Sequence, residues 1–362
     1  MSIRRGWVAV SALLAGALLS GCAQLGYLGQ SVSGHLQLMA AARPVDAWLA
    51  EPALSPALRQ RLLLSQRLRD FAVSDLHLPD NNSYRRYAEL GRKAAVWNVV
   101  ATPELSLTLQ TWCFPVMGCV GYRGYFEQSA AERFALAYAE AAKASLATSG
   151  QTLETQVYPV PAYSTLGWSN WIGGDPLLNT FIGYPEGELA RLIFHELSHQ
   201  VAYAADDTQF NESFATAVER LGAAAWLQTQ AGPAAQEVYR RGLQRREQFR
   251  ALTQDYRGRL ARLYAGAEPD ADKRLAKAAI FQALQADYAR LKTEQWGGDG
   301  AYDRWFASAN NASFALLSAY TDLTPAFEAL FERQGRDWPR FYAEVQRLAA
   351  LPKLERRSQL LR

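Results

Sequence analysis

A His-Glu-x-x-His motif restricts what this chain can fold into more than any other feature. The motif spans His195 to His199, within an apolar periodicity that predicts a helix over Leu189–Tyr203. Residues four apart on a helix differ by about 40° in angle, so both imidazoles leave one face and can share one metal ion. Glu196 lies between them, within reach of a water bound to that ion. The sequence has only four histidines, so this spacing would rarely arise by chance.

A third ligand is expected on the next helix, because two imidazoles alone hold zinc weakly. After Tyr203 the sequence turns and predicts a second helix that begins near Phe210. A helix returned by so short a connection must pack antiparallel on the first, and this places Glu212 beside His199. We therefore predict one Zn²⁺ per chain, with water in the fourth position and ligands from His195, His199 and Glu212.

Other acidic residues nearby have supporting or alternative roles. Glu219 shares a helix face with Glu212 and is predicted to accept a hydrogen bond from a ligand imidazole, or to be the ligand itself. Asn211, directly before Glu212, is predicted to support the ligand set from behind. Asp206 and Asp207 are weaker alternatives for the third ligand.

The ligand set predicts hydrolysis by a metal-activated water. Zinc would lower the pKa of its water toward about 7, and Glu196 would take the proton and pass it to the departing amine. The developing oxyanion also needs a hydrogen-bond donor. Tyr320 is the predicted donor, with Tyr203 and Tyr184 as alternatives.

Two upstream positions are candidates for substrate binding. Ser164 and Thr165 follow a predicted strand and could pair, as part of a sheet edge, with an extended peptide backbone; a plain packed loop is the alternative. An exopeptidase must also hold the α-ammonium group of its substrate with a carboxylate. Asp175 is the candidate for that contact, with Glu186 and Glu188 as alternatives.

The amino terminus predicts export and lipidation. An apolar run over Val8–Leu19 follows two arginines and is too short to span a bilayer. It ends in Leu19-Ser20-Gly21-Cys22, which resembles the bacterial lipobox, so we expect residues 1–21 to be removed as a signal peptide. Acyl chains on Cys22 would anchor the protein to a membrane on the periplasmic side of the cell envelope. Ala23 favours the outer membrane, because it is not the aspartate associated with inner-membrane retention.

The other two cysteines, Cys113 and Cys119, are expected to form a disulfide in an exported chain. Pro115 and Gly118 lie between them and suit a tight loop. Closing a loop this short would contribute about 2 kcal/mol by restricting the unfolded chain. The spacing matches neither a CxxC redox motif nor a zinc knuckle.

The hydropathy pattern predicts a predominantly helical α+β protein with a small sheet and a helical C-terminal half. Strands are predicted at residues 95–101, 105–112, 116–126 and 153–160. We divide the chain into the signal peptide 1–21, a helical segment 22–90, a catalytic core 91–230 and a helical region 231–362 that closes the cleft. Without Arg4 and Arg5 the net charge is about +1 (36 basic minus 35 acidic residues), which gives no reason to expect a nucleic-acid partner.

Several segments taken together resemble a known family. They are Trp112–Pro115, Gly118-Cys119, Tyr122–Phe126, Pro161–Trp168, Asp175-Pro176, Leu189–Gln200, Phe210–Glu219 and Asn310-Asn311. These segments resemble the predicted zinc-dependent aminopeptidases of Gram-negative bacteria, which are exported as lipoproteins. The resemblance implies a thermolysin-like zincin core with His195, His199 and Glu212 as zinc ligands and Glu196 as the base.

The chain departs from better-known zinc aminopeptidases in two places. The interval from His199 to Glu212 is 13 residues, shorter than in many thermolysin-like enzymes, so the turn must be tight. Trp171–Pro176 stands where a Gly-x-Met-Glu-Asn segment would lie. We expect a zinc peptidase that acts on peptides, and the resemblance implies that it is an aminopeptidase. The alternative is an inactive metallopeptidase-like envelope lipoprotein that acts as a binding or assembly factor; the intact Glu196 favours the enzyme.

Overall fold

The structure is a computed structural model that describes residues 26–27, 29–114, 118–144, 152–162, 174–205, 207–318 and 323–362. It is predominantly helical with small β-sheets, which confirms the predicted α+β class. Within those ranges, no helix has both the length and the apolar character needed to cross a membrane. The predicted signal peptide and Cys22 lie outside the described residues. The thermolysin-like core and the division into four segments stay predictions.

The helices and strands are numbered in chain order. The helices are α1 (29–41), α2 (Val45–Leu49), α3 (Pro56–Ser74), α4 (Gln128–Ala144), α5 (Glu186–Ser198), α6 (Thr208–Thr229), α7 (Pro233–Ala265), α8 (Asp270–Gln295), α9 (Asp303–Ser308), α10 (Asn311–Ser318), α11 (Thr324–Arg333), α12 (Trp338–Ala349) and α13 (Lys353–Leu360). The strands are β1 (Arg43–Pro44), β2 (Arg86–Ala88), β3 (Val96–Pro103), β4 (Trp112–Phe114), β5 (Gly118–Val120), β6 (Arg123–Tyr125), β7 (Leu153–Val160) and β8 (Leu177–Leu178).

The strands form small separate sheets. In one sheet β2 pairs antiparallel with β1 and parallel with β8. In a second, β3 is central and pairs antiparallel with β6 and β7. The hairpin of β4 and β5 places Cys113 opposite Cys119, and the two form a disulfide, as predicted.

Two sequence predictions are wrong in detail. Residues 105–111 form no strand, although their polarity alternates. β6 pairs only with Trp97–Val99 of β3, and this segment meets β3 further along, where Gln110 N–H donates to Ala101 O at 2.8 Å, but no strand pairing develops from that contact. The helix predicted to reach Tyr203 ends at Ser198, because the chain tightens into a turn with Val201 N–H bonded to Ser198 O.

The helices α5 and α6 pack on each other through apolar faces. The sequence predicts the apolar face of α5. Leu189, Ile193 and Leu197 of α5 are fully buried, and so are Phe210 and Phe214 of α6. These side chains belong to one hydrophobic core that also includes residues of α3, α11 and α12. The core therefore holds in place the two helices that carry the predicted ligands.

Candidate metal centre

The three predicted ligands lie together. His195 Nε2 is 3.3 Å from His199 Nε2 and 3.4 Å from Glu212 Oε2, and His199 Nε2 is 3.8 Å from Glu212 Oε1. Tetrahedral ligands at about 2.0–2.1 Å from zinc are about 3.3 Å from one another. The three side chains thus fit around one ion of this size, and they form a cluster that could hold a metal.

The turn between α5 and α6 sets the position of Glu212. Asp207 caps the N-terminus of α6 by accepting from Phe210 N–H, and Glu212 follows in the early part of that helix. The Asn211 side chain donates to Ala204 O and accepts from Ala204 N–H, each at 2.8 Å. Asn211 therefore closes the connection rather than contacting a ligand imidazole, and the 13-residue interval is accommodated.

Side chains of alternating charge extend in a row from His195. Its Nδ1 lies 2.9 Å from Glu219 Oε2, and the other oxygen of Glu219 pairs with Arg191. Arg191 also pairs with Glu188, which binds Arg246 at 2.6 Å. A carboxylate behind a histidine fixes the ring orientation and leaves Nε2 directed at the metal position. This is the contact that the sequence predicts for Glu219, although its role stays a prediction.

The charges of these groups depend on one another. Burial favours the neutral form of His195, but the carboxylates of Glu212 and Glu219 outweigh it and raise the pKa of His195 well above its ordinary value. Burial lowers the pKa of His199 to about 4, and the positive charge of His195 adds to this effect. Burial opposes ionisation of Glu219, yet Arg191 and His195 lower its pKa to about 2. A metal ligand must be deprotonated, so a proton on either imidazole would compete with the metal.

Replacing Glu219 by Gln is expected to weaken metal binding by about 10- to 100-fold, because a neutral amide supports the His195 ring less well than a carboxylate does. Competition with a chromogenic chelator at fixed pH measures the affinity. The matched control is Glu237→Gln, at a partly exposed residue that pairs with Arg240 and Arg241 on α7. Equal affinity in both variants would contradict a supporting role for Glu219.

The structure places the other candidates in different surroundings. Ser164, Thr165, Asp206 and Tyr320 lie outside the described residues. Asp175 is 1% exposed, and its carbonyl accepts from Tyr84 N–H at 2.7 Å. The predicted contact of Asp175 with the substrate ammonium group stays a prediction.

The alternative residues for the substrate and oxyanion contacts are Glu186, Glu188, Tyr203 and Tyr184. The two glutamates are bound by other side chains. Glu186 accepts from Trp226 Nε1 at 2.9 Å, while Glu188 belongs to the charge row behind His195. Tyr203 is 51% exposed, and burial together with the charge of Glu212 raises its pKa. The pKa of Tyr184 is raised by burial and by Glu188 rather than by a ligand.

Three further tyrosines near the centre were not found by sequence reasoning. Burial, followed by the charge of Glu212, raises the pKa of Tyr122 to about 12. Burial also raises the pKa of Tyr158, with Glu212 contributing, and that of Tyr84, with Glu196 contributing. Of the three, Tyr158 is nearest to Glu212 in the sequence, 54 positions before it, and Tyr84 is farthest, 128 positions before it. No local pattern connects such distant residues to the motif.

The comparison with protein families decides the relationship. A family model described as "Putative aminopeptidase" matches residues 26–361, nearly the whole chain. The chain belongs to this family. No curated protein and no solved structure matches it. The putative aminopeptidase family thus covers the described fold from α1 to α13, including the ligand cluster on α5 and α6.

Proposed function

We propose that this chain is a zinc metallopeptidase that removes amino-terminal residues from peptides. The observation that carries the proposal is the cluster of His195, His199 and Glu212, with Glu196 beside His195 on α5 and His199 at the C-terminal cap of that helix. Membership of the putative aminopeptidase family supports a peptide substrate and cleavage at the amino terminus. Two imidazoles and one carboxylate are the donor set of thermolysin-like zinc peptidases, which supports zinc as the metal.

The residues of the chain divide the chemistry among them. A bound zinc ion would supply an acidic water and polarise the substrate carbonyl. Glu196 is half-buried, and its charge acts on His195 and Tyr122, so it lies at the same centre. It takes the proton of the attacking water and returns it to the nitrogen of the leaving amine. Glu219 keeps His195 in the orientation that the ligand needs.

We also propose that Cys22 is lipidated and anchors the enzyme on the periplasmic side of the cell envelope, at the outer membrane. Residues 19–22 support this proposal through their likeness to a lipobox. The Cys113–Cys119 disulfide is consistent with it, because disulfides persist in oxidising compartments outside the cytoplasm.

The experiment that tests the proposed function is a cleavage profile on a mixed peptide library, using purified protein without its lipid anchor. We expect loss of single amino-terminal residues, loss of activity with a chelator, and recovery with Zn²⁺. Internal cuts would replace the aminopeptidase assignment with that of an endopeptidase. A protein that holds a full complement of zinc and cleaves no peptide in the library would overturn the proposal.

A further inference from the structure

The sheet of β6, β3 and β7 has a polar group in the middle of one face. Asn98 of β3 lies opposite Gly124 of β6 on one side and Tyr158 of β7 on the other. Residues directly opposite each other in a sheet share a face. Asn98 and Tyr158 therefore project from the same side of the sheet, and Tyr122 directly precedes the neighbouring strand β6, two residues before Gly124.

The opposite face of this sheet is covered by helix α4. Trp97, Val99 and Tyr125 point that way and pack with Ala131 and Ala135 of the helix in an apolar cluster of their own. The Asn98 face consequently lies on the side away from α4.

Contacts at the end of this face connect it with the core that holds α5 and α6. Val96 and Val160, opposite each other in β3 and β7, belong to the same hydrophobic core as α5 and α6. The charge of Glu212 also acts on the hydroxyls of both Tyr122 and Tyr158. The hydroxyls of Tyr122 and Tyr158 are therefore within electrostatic range of Glu212, on a face whose end packs on the core that holds α5 and α6.

Asn98 controls the direction of the Tyr158 hydroxyl. Its Nδ2 donates to the Tyr158 oxygen at 3.2 Å, so that oxygen acts as the acceptor and its own proton must be directed elsewhere. Gly124 leaves room for this amide, since a Cβ at that position would lie only 3.1 Å from Asn98 Oδ1. Burial raises the pKa of Tyr158, which keeps the hydroxyl protonated and able to donate at neutral pH.

We propose that Tyr158 donates the hydrogen bond that stabilises the oxyanion developing on the substrate carbonyl, and that Asn98 is its positioning residue. The proposal rests on the proposed peptidase function. It differs from the sequence expectation, which placed the donor at Tyr320. Tyr158 is chosen over Tyr122 because no hydrogen bond orients the Tyr122 hydroxyl among the residues that the structure describes. The O–H bond of Tyr158 stays intact throughout; only a hydrogen bond forms.

The test is Tyr158→Phe, which removes one oxygen and keeps the ring. We expect kcat to fall by about 10²- to 10³-fold with little change in KM, because the donor acts in the transition state. Affinity for a phosphinic peptide, which carries a tetrahedral anionic centre, should fall by a similar factor, whereas zinc content should stay constant. The matched control is Tyr138→Phe on α4, where the ring stacks on Phe134 on the far side of the sheet.

A second variant separates orientation from packing. Asn98→Ala should lower kcat by about 10-fold in the parent protein, but it should have no further effect in the Tyr158→Phe background, because the two residues act through one hydroxyl. A Tyr158→Phe enzyme with the parent kcat and the parent affinity for the phosphinic peptide would overturn the role of Tyr158 and leave the proposed peptidase function standing. If the parent protein itself cleaves no peptide, the proposed function fails instead, so the two failures are distinguishable.

Discussion

Replacing Glu196 by Gln is expected to reduce kcat by about 10⁴-fold, at the upper end of what a positioned acid–base group contributes, while the bound zinc remains. The expected loss is large because one carboxylate performs two proton transfers, first from the water and then to the leaving amine. Gln has nearly the same shape but cannot accept the proton. Peptide hydrolysis at saturating substrate and metal content by elemental analysis are the two measurements.

The metal should be retained because Glu196 is outside the ligand cluster. The three donor groups come from His195, His199 and Glu212, and the carboxylate behind His195 is that of Glu219. The same change at Glu140, an exposed residue of α4, is the control and should alter neither quantity. Hydrolysis at the parent rate would show that Glu196 is not the base. Loss of zinc together with activity would place Glu196 among the ligands.

The parts of the site that the sequence predicts well are those set by local geometry. His195 and His199 share a face because any helix places residues four apart on one side, and the pairing needs no knowledge of the remaining fold. The position of Glu212 can be predicted because the connection between the two helices is short, so the second helix must pack against the first. The opposite side of the same helix, which the sequence predicts to face the core, carries the buried Leu189, Ile193 and Leu197.

The parts of the site and fold that the sequence could not predict depend on long-range packing. Asn98 meets Tyr158 only because β3 and β7 pair with a particular register, and no pattern in either segment marks that register. Residues 105–111 show the same limit, because their polarity alternates but their contact with β3, from Gln110 N–H to Ala101 O, does not extend into a paired strand. Local periodicity predicts which helices and strands can form, whereas long-range packing decides which strands pair.

A second long-range contact supports the helix that carries Glu212. The carboxylate of Asp207 is fully buried and is bound by Arg356 at 3.1 Å and by Arg357 at 2.6 Å, both from the C-terminal helix α13. Arg356 is itself only 3% exposed. Asp207 also accepts from Phe210 N–H at the start of α6. The last helix of the chain thus fixes the N-terminus of the helix that carries Glu212, the third predicted ligand.

Replacing Asp207 by Asn is expected to lower the free energy of unfolding by about 3–5 kcal/mol, because it removes the charge of the buried carboxylate that Arg356 and Arg357 bind. The amide can still cap the helix, so the change isolates the ion pair from the cap. Chemical denaturation of both proteins, with metal removed from each, measures the difference. The control is Asp337→Asn, at the cap of α12, where the side chain accepts from Arg340 N–H.

The pH dependence provides a second check on this ion pair. Burial opposes ionisation of Asp207, but Arg357 and its other partners outweigh it and hold the pKa below the ordinary value of 3.8. A carboxyl with a depressed pKa contributes its full stabilisation above the unfolded-state pKa and loses it as the pH falls through the folded-state value. The difference between parent and Asp207→Asn should therefore be constant near neutral pH and shrink in acid below about pH 4. A difference below 1 kcal/mol at pH 7, equal to that of the Asp337→Asn control, would contradict the role of the ion pair.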